Sequence, residues 1–260
     1  MPSAQEPPYQ FVTAWGEKGD GAGQFSDPTG IAVAKAEVFV SDSRNGRIQV
    51  FDLDGHFKRQ FGVPGKESGQ LGRPMNLAVR GNELYVAEFF NDRVQIFTLD
   101  GTSRRVIGKS GRGTAEFNAP GGVAVALNGD LFVADFYNQR VQQLKADGSF
   151  VRQWGTTGQI GVWAGEFNYP TDVALGPDGA LYVADGYNDR IQKFTAAGKF
   201  LTSFGEQGEG PGQFNYAIAV AVADSGTVFS VDYGNNRIQK WRPGIEASPR
   251  GRGVTGHGAI

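Results

Sequence analysis

The chain has 260 residues, no cysteine and a formal net charge of −2 at neutral pH. The missing cysteines exclude disulfides, thiolate catalysis and zinc–thiolate sites. The near balance of charge provides no global field toward nucleic acid or an acidic membrane.

Taken in order, residues 1–9 are polar, with Pro2, Pro7 and Pro8 and no apolar stretch of a signal peptide. They are expected to form a disordered lead. A cytoplasmic address is expected if Met1 is the native start, and a periplasmic or extracellular one if a signal peptide has been removed. Phe11 to Gly16 then reads as a strand, followed by a Gly-rich stretch at Gly19, Gly21 and Gly23. That stretch precedes another strand, not a helix, so it reads as a crossover instead of a phosphate cradle.

From here an eight-residue phrase, acidic-x-x-Asn-x-Arg-(Ile/Val)-Gln, recurs five times. Its acid and arginine are Asp42 and Arg47, Glu88 and Arg93, Asp135 and Arg140, Asp185 and Arg190, Asp232 and Arg237. The arginines lie 46, 47, 50 and 47 residues apart, a period of stacked supersecondary units. The third unit shows the plan. Gly121–Ala126 is an apolar run, Asn128-Gly129 a turn, and Asp130–Ala134 a strand. After the loop 135–139 come the strand Arg140–Lys145, the Asp147-Gly148 turn and the strand Phe150–Trp154. No segment has a helical period.

Four antiparallel strands cannot bury both faces alone, so the units are expected to pack around an axis as a β-propeller. The fold class is therefore all-β, a single propeller of four-stranded antiparallel blades spanning residues 10–242. Inner strands begin near Gly30, Asn76, Gly122, Asp172 and Ala219, which gives five blades. The strand at Phe11–Gly16 precedes any inner strand, and none of its kind follows Trp241. The N-terminal strand is therefore expected to complete the last blade and close the ring. Residues 243–260, Gly-rich with Arg250 and Arg252, are expected to be a flexible tail.

Pro28-Thr29-Gly30-Ile31-Ala32-Val33, then Tyr182-Val183-Ala184-Asp185, then Asn45-Gly46-Arg47-Ile48-Gln49 resemble the NHL-repeat family of β-propellers, over roughly residues 10–242. The resemblance implies six blades as the usual number, against five counted here: either the ring closes with five, or a sixth blade is missing and the ring is open or completed by a partner. Family members that are amidating lyases bind zinc through channel histidines. This chain has only His56 and His257, so a three-histidine site cannot be built and that activity does not transfer. Members that read single-stranded RNA do so on a basic face, whereas the repeated arginines here are expected to be paired, so nucleic acid is not the expected partner.

Because the phrase occurs in every unit, its acid and arginine are read as a structural brace and not as catalysts. Function is sought on the face where crossovers and second-to-third-strand loops meet. There the chain places Arg44, Phe89, Phe90, Phe136, Tyr137, Trp163, Tyr187 and Tyr233, with Tyr169 and Tyr216 beside them. Exposed aromatic rings with a few polar groups suit a protein, peptide or glycan partner, and a subunit role in a larger assembly fits as well. No cofactor is expected on this reading, which is that of a non-enzymatic binding or scaffolding module. The alternative is a calcium-dependent hydrolase or lyase with Asn76 and Asp172 in the axial channel, a thin ligand set for an ion that takes six to eight oxygens.

Overall fold

Hydrogen-bonded pairing in the computed structural model, which describes residues 11–243, sorts the chain into five antiparallel blade sheets and two short parallel pairs, Glu17–Lys18 with Gln24–Phe25 and Glu206–Gln207 with Gln213–Phe214. The first blade is built from Pro28–Ala34, Glu37–Asp42, Arg47–Asp52 and Phe57–Phe61. The second uses Pro74–Arg80, Glu83–Glu88, Arg93–Thr98 and Ser103–Ile107. The third has Pro120–Val125, Leu131–Asp135, Arg140–Leu144 and Phe150–Trp154, and the fourth Pro170–Leu175, Leu181–Asp185, Arg190–Phe194 and Phe200–Phe204. The fifth has three strands, Ala217–Val222, Val228–Asp232 and Arg237–Trp241. Each sheet runs inner strand to outer strand in chain order. The protein is an all-β, five-bladed propeller, and its only helical turns among the described residues are the three-residue segments Phe136–Asn138 and Gly186–Asn188.

Strand alternation sends one side of each sheet toward each neighbouring blade, and Val, Ile, Leu and Phe fill the space between. Phe39, Ile48 and Val50 of the first blade meet Leu77, Leu84 and Val86 of the second. Tyr85, Val94 and Ile96 meet Val123 and Val133; Phe132, Val141 and Trp154 meet Val173 and Val183; Tyr182 and Ile191 meet Val220 and Val228. Each fully buried aliphatic or aromatic side chain contributes about 1.5–3 kcal/mol. At two of the places where inner strands converge on the axis, in the first and third blades, only glycine fits. A Cβ on Gly30 would stand 2.4 Å from the Met75 carbonyl, and one on Gly122 would stand 2.7 Å from Asp172 Cα.

The hairpin turns follow the Gly signals with one difference in geometry. Gly129 and Gly148 have φ of 89° and 88°, while Asn128 and Asp147 keep negative φ. The bonds Gly129 N–H to Ala126 O and Ala126 N–H to Asp130 O make a three-residue loop with one left-handed glycine, not a two-residue turn with two.

The expected closing strand is corrected by the structure. Residues 11–16 adopt no strand, Phe11 and Val12 are exposed, and Trp15 packs on Phe51 of the first blade at 5.8 Å and against Gly55. Among the described residues no buried cluster joins the fifth blade to the first, so four inter-blade cores hold five blades together. The sequence pattern identifies this segment as an outer strand but carries no term for which sheet it meets, and the Trp15 ring finds its apolar surface on the blade that follows it. The lead at 1–9 and the tail at 243–260 lie outside the described residues, apart from Pro243.

Candidate functional site

The repeated phrase forms a closed polar circuit. In the third blade, Asp135 Oδ1 accepts from the Asn118 N–H at 2.8 Å, while Oδ2 accepts from Asn138 Nδ2 at 3.0 Å, Arg140 Nε at 2.8 Å and Gln142 Nε2 at 3.3 Å. The same donors then reach the incoming crossover: Asn138 to Gly111 O, Arg140 Nη2 to Gly113 O and Glu116 O, and Gln142 to Glu116 O. The pattern repeats at Asp42 with Arg47, Glu88 with Arg93, Asp185 with Arg190, and Asp232 with Arg237. Each acid is fully buried. The phrase therefore ties a blade to the crossover arriving from its predecessor and saturates backbone groups that would otherwise be orphaned.

Burial pushes the Asp135 and Asp185 carboxyls up, against the pull of the Asn118 and Asn168 N–H groups and the guanidiniums. At Asp232, in the last blade, burial is the largest single influence but is outweighed by the Asn215 N–H, Asn235 and Arg237, and its pKa lies below the usual carboxylate value.

One position of the phrase escaped the sequence reading. The residue between Asn and Arg is left-handed in the second, third and fourth blades, at Asp92, Gln139 and Asp189. Its side chain accepts from the N–H of the residue that leads into the next inner strand: Asp92 from Ala119 at 2.7 Å, Gln139 from Tyr169 at 2.6 Å, Asp189 from Tyr216 at 2.7 Å. Those lead-in residues also have positive φ, 57°, 54° and 66°, an uncommon conformation for tyrosine. The signal was present as a polar residue at a fixed offset; its partner, one blade away, was not. Asp189→Gly, which keeps the backbone conformation open and removes the acceptor, is expected to destabilise the fold by about 1–3 kcal/mol in denaturant titration.

These lead-in residues and the second-to-third-strand loops bring the predicted aromatics together on one face. Phe89 lies 5.9 Å from Phe90 and 5.8 Å from Phe136, Phe136 4.9 Å from Tyr169, and Tyr169 5.2 Å from Tyr187. Tyr187 lies 4.8 Å from Tyr216, and Tyr216 6.1 Å from Tyr233. Tyr137 caps the middle, 5.0 Å from Phe136. The result is an arc of touching rings from the second blade to the fifth. Phe89, Phe136, Tyr169 and Tyr216 are half-buried, while Phe90, Tyr137, Tyr187 and Tyr233 hold half or more of their surface in water. Burial, with the neighbouring Tyr187, Tyr137 and Tyr233 phenols, pushes the Tyr216 hydroxyl up to about 12, so it stays neutral.

Arg73, the lead-in residue of the second blade, places its guanidinium 5.4 Å from the Phe90 ring centre and 5.9 Å from that of Phe89. It lines a cleft of about 410 Å³ with Arg44, Lys66, Pro64 and Phe90. Arg44 is exposed and paired with Asp27. Trp163 is brought to none of this: its ring is exposed in the longest crossover, and its carbonyl accepts from Arg190.

In the channel, Asp172 is buried and its Oδ2 accepts from the Val220 N–H at 3.0 Å. Burial pushes its pKa up to about 7 against bonds from Val220, Val173 and the Asn76 side chain. One carboxylate, already engaged and partly protonated near neutrality, with one amide already bonded to it, does not fit calcium. Among the described residues the single group of three side chains that could hold a metal is Asp52, Asp54 and His56. It is a hairpin on the opposite face, where the Asp52 carboxylate bonds His56 and raises its pKa.

Comparison with known proteins places these features. The NHL repeat family model matches residues 25–51, 117–144 and 167–194. The fruit-fly (Drosophila melanogaster) protein brain tumor is 51% identical over 49 residues, 18% of this chain and 5% of that protein. The B-box type zinc finger protein ncl-1 of Caenorhabditis elegans is 49% identical over 47 residues, 18% of this chain and 6% of that protein. The chain thus matches about one-twentieth of each of these relatives. Among solved structures, virginiamycin B lyase from Staphylococcus aureus superposes with a TM-score of 0.59 at 19% identity, over 84% of this chain and 71% of the lyase. A nidogen/laminin complex gives 0.62 at 19% identity, over 82% of this chain and 74% of the other. At that identity the likeness is one of fold.

Proposed function

We propose that this NHL-repeat β-propeller is a binding module that recognises a protein or peptide partner through its aromatic face. The observation that carries the reading is the continuous arc from Phe90 to Tyr233, whose outer rings stand in water while its inner rings fix their positions. Flat, pre-packed rings give contact area at little entropic cost, and Arg73 over Phe90 adds a cationic end to the strip. The arc spans four blades and bears no pairing of acid, base and nucleophile, which favours recognition over chemistry. A lyase reading rests on fold likeness alone. A histidine-to-alanine variant of the staphylococcal lyase is catalytically inactive, and His56 here sits on the face opposite the arc.

Panning the full chain against a random peptide display library tests the reading. The chain is expected to select peptides, and the combined variant Phe90→Ala, Tyr137→Ala, Tyr187→Ala is expected to bind them at least tenfold more weakly with an unchanged unfolding midpoint. Equal binding by the variant, or no selected peptides, would sink it.

A further inference from the structure

The aromatic arc ends at Phe90 on a cleft whose charge is one-sided. Arg44, Lys66 and Arg73 line it, Phe90, Pro64 and the buried Leu71 give it an apolar wall, and none of its lining residues is an aspartate or a glutamate. Its volume of about 410 Å³ lies in the range of about 300–1,000 Å³ that ligand sites occupy. These cations gather at one place in a chain whose formal net charge is −2. Arg44 already pairs with Asp27. Among the described residues Lys66 and Arg73 pair with no acid.

Arg73 is also held in place. Its backbone is left-handed, with φ of 54°, and its carbonyl accepts from the Phe89 N–H at 3.1 Å, while the Gly72 carbonyl accepts from the Phe90 N–H at 2.9 Å. The guanidinium lies over both rings. A cation fixed before its partner arrives has less freedom to lose on binding. At the equivalent lead-in position the other blades carry Asp27, Ala119, Tyr169 and Tyr216, so none of them repeats this cation.

Past Phe90 the surroundings of the arc change sign. The arginines of the repeated phrase are engaged by buried acids. Asp92 and Asp189, which no cation pairs among the described residues, accept from the backbone N–H groups of Ala119 and Tyr216. A nucleic-acid strand would carry its phosphates past these carboxylates, and it needs a positive groove along its whole path. A peptide can place its charge at one end and apolar side chains beyond it. Two unpaired cations match two carboxylates, whereas a chain terminus supplies one.

We propose that the cleft between the first and second blades takes a pair of acidic side chains, and that the partner is an extended segment in which this pair adjoins a run of aromatic or aliphatic residues lying along the arc. The proposal rests on the reading of the arc as a peptide-binding face.

The test uses peptides that the full chain selects from the display library, synthesised with acetylated and amidated ends and titrated by fluorescence anisotropy. The selected sequences are expected to carry the acidic pair. The combined variant Lys66→Gln, Arg73→Gln is expected to bind them about tenfold more weakly, at an unchanged unfolding midpoint and with less dependence on added salt. The variant Lys66→Glu, Arg73→Glu is expected to recover binding when the peptide's acidic pair is exchanged for lysines. Equal binding by the glutamine variant, where Phe90→Ala, Tyr137→Ala, Tyr187→Ala weakens it, would overturn the assignment of the cleft and leave the arc as the binding face. Loss of binding on amidation, which is capture of a terminal carboxylate, would overturn it as well. So would tighter binding of an oligouridylate than of the peptides, which is a nucleic-acid face.

Discussion

Arg140→Ala is expected to destabilise the fold by about 3–5 kcal/mol, read as a lower denaturant midpoint at unchanged slope. The side chain is 2% exposed and its partner Asp135 is fully buried. Removing the guanidinium strands a carboxylate out of water, frees the carbonyl of Gly113 and leaves that of Glu116 with Gln142 alone. The identical substitution at Arg237, whose side chain is 30% exposed, leaves an acid nearer to solvent and is expected to cost about 1 kcal/mol. Equal costs at the two sites would show that the circuit's contribution is set by its hydrogen bonds alone and not by its depth.

Asp172→Asn is expected to remove a pH dependence that the unsubstituted chain shows between about pH 4 and pH 7. Burial raises this carboxyl from 3.8 to about 7, so the folded protein holds a proton that the unfolded chain releases above pH 4. Stability from this group is fully present below the unfolded value and is lost as pH rises through about 7. At about 1.4 kcal/mol per pKa unit, the full loss by pH 8 is on the order of 4 kcal/mol. Asparagine keeps an acceptor for the Val220 N–H and never ionises. Thermal unfolding of both proteins from pH 4 to pH 8 checks this: the difference should be small at pH 4 and largest at pH 8, and parallel profiles would show that Asp172 does not titrate in that window.

Local order was readable because it repeats. Five copies of one phrase fixed strand boundaries to within a residue or two, as at Leu131–Asp135 and Phe150–Trp154, and placed the aromatics on one face. Three things were not readable, each for a geometric reason. The bond from Gln139 to Tyr169 joins residues thirty apart, and a motif that marks its middle position as free conceals it. The left-handed conformation of tyrosine at 169 and 216 follows from the bond that holds it, not from its own preference. The place of Phe11–Gly16 depends on which sheet it meets, and alternation names a face without naming a neighbour.

The polar circuit also sets where this chain can be cut. In the fourth blade every one of its bonds, from Gly161 O to Gln192, lies between Gly155 and Phe204. A transplant that begins just after one outer strand and ends with the next carries the whole circuit with it. A cut between a crossover and its inner strand leaves an acid in one parent and its backbone donor in the other. Gene duplication or engineered chimaeras that respect the first boundary keep the acid of each phrase with its donors, and those that use the second must rebuild that circuit.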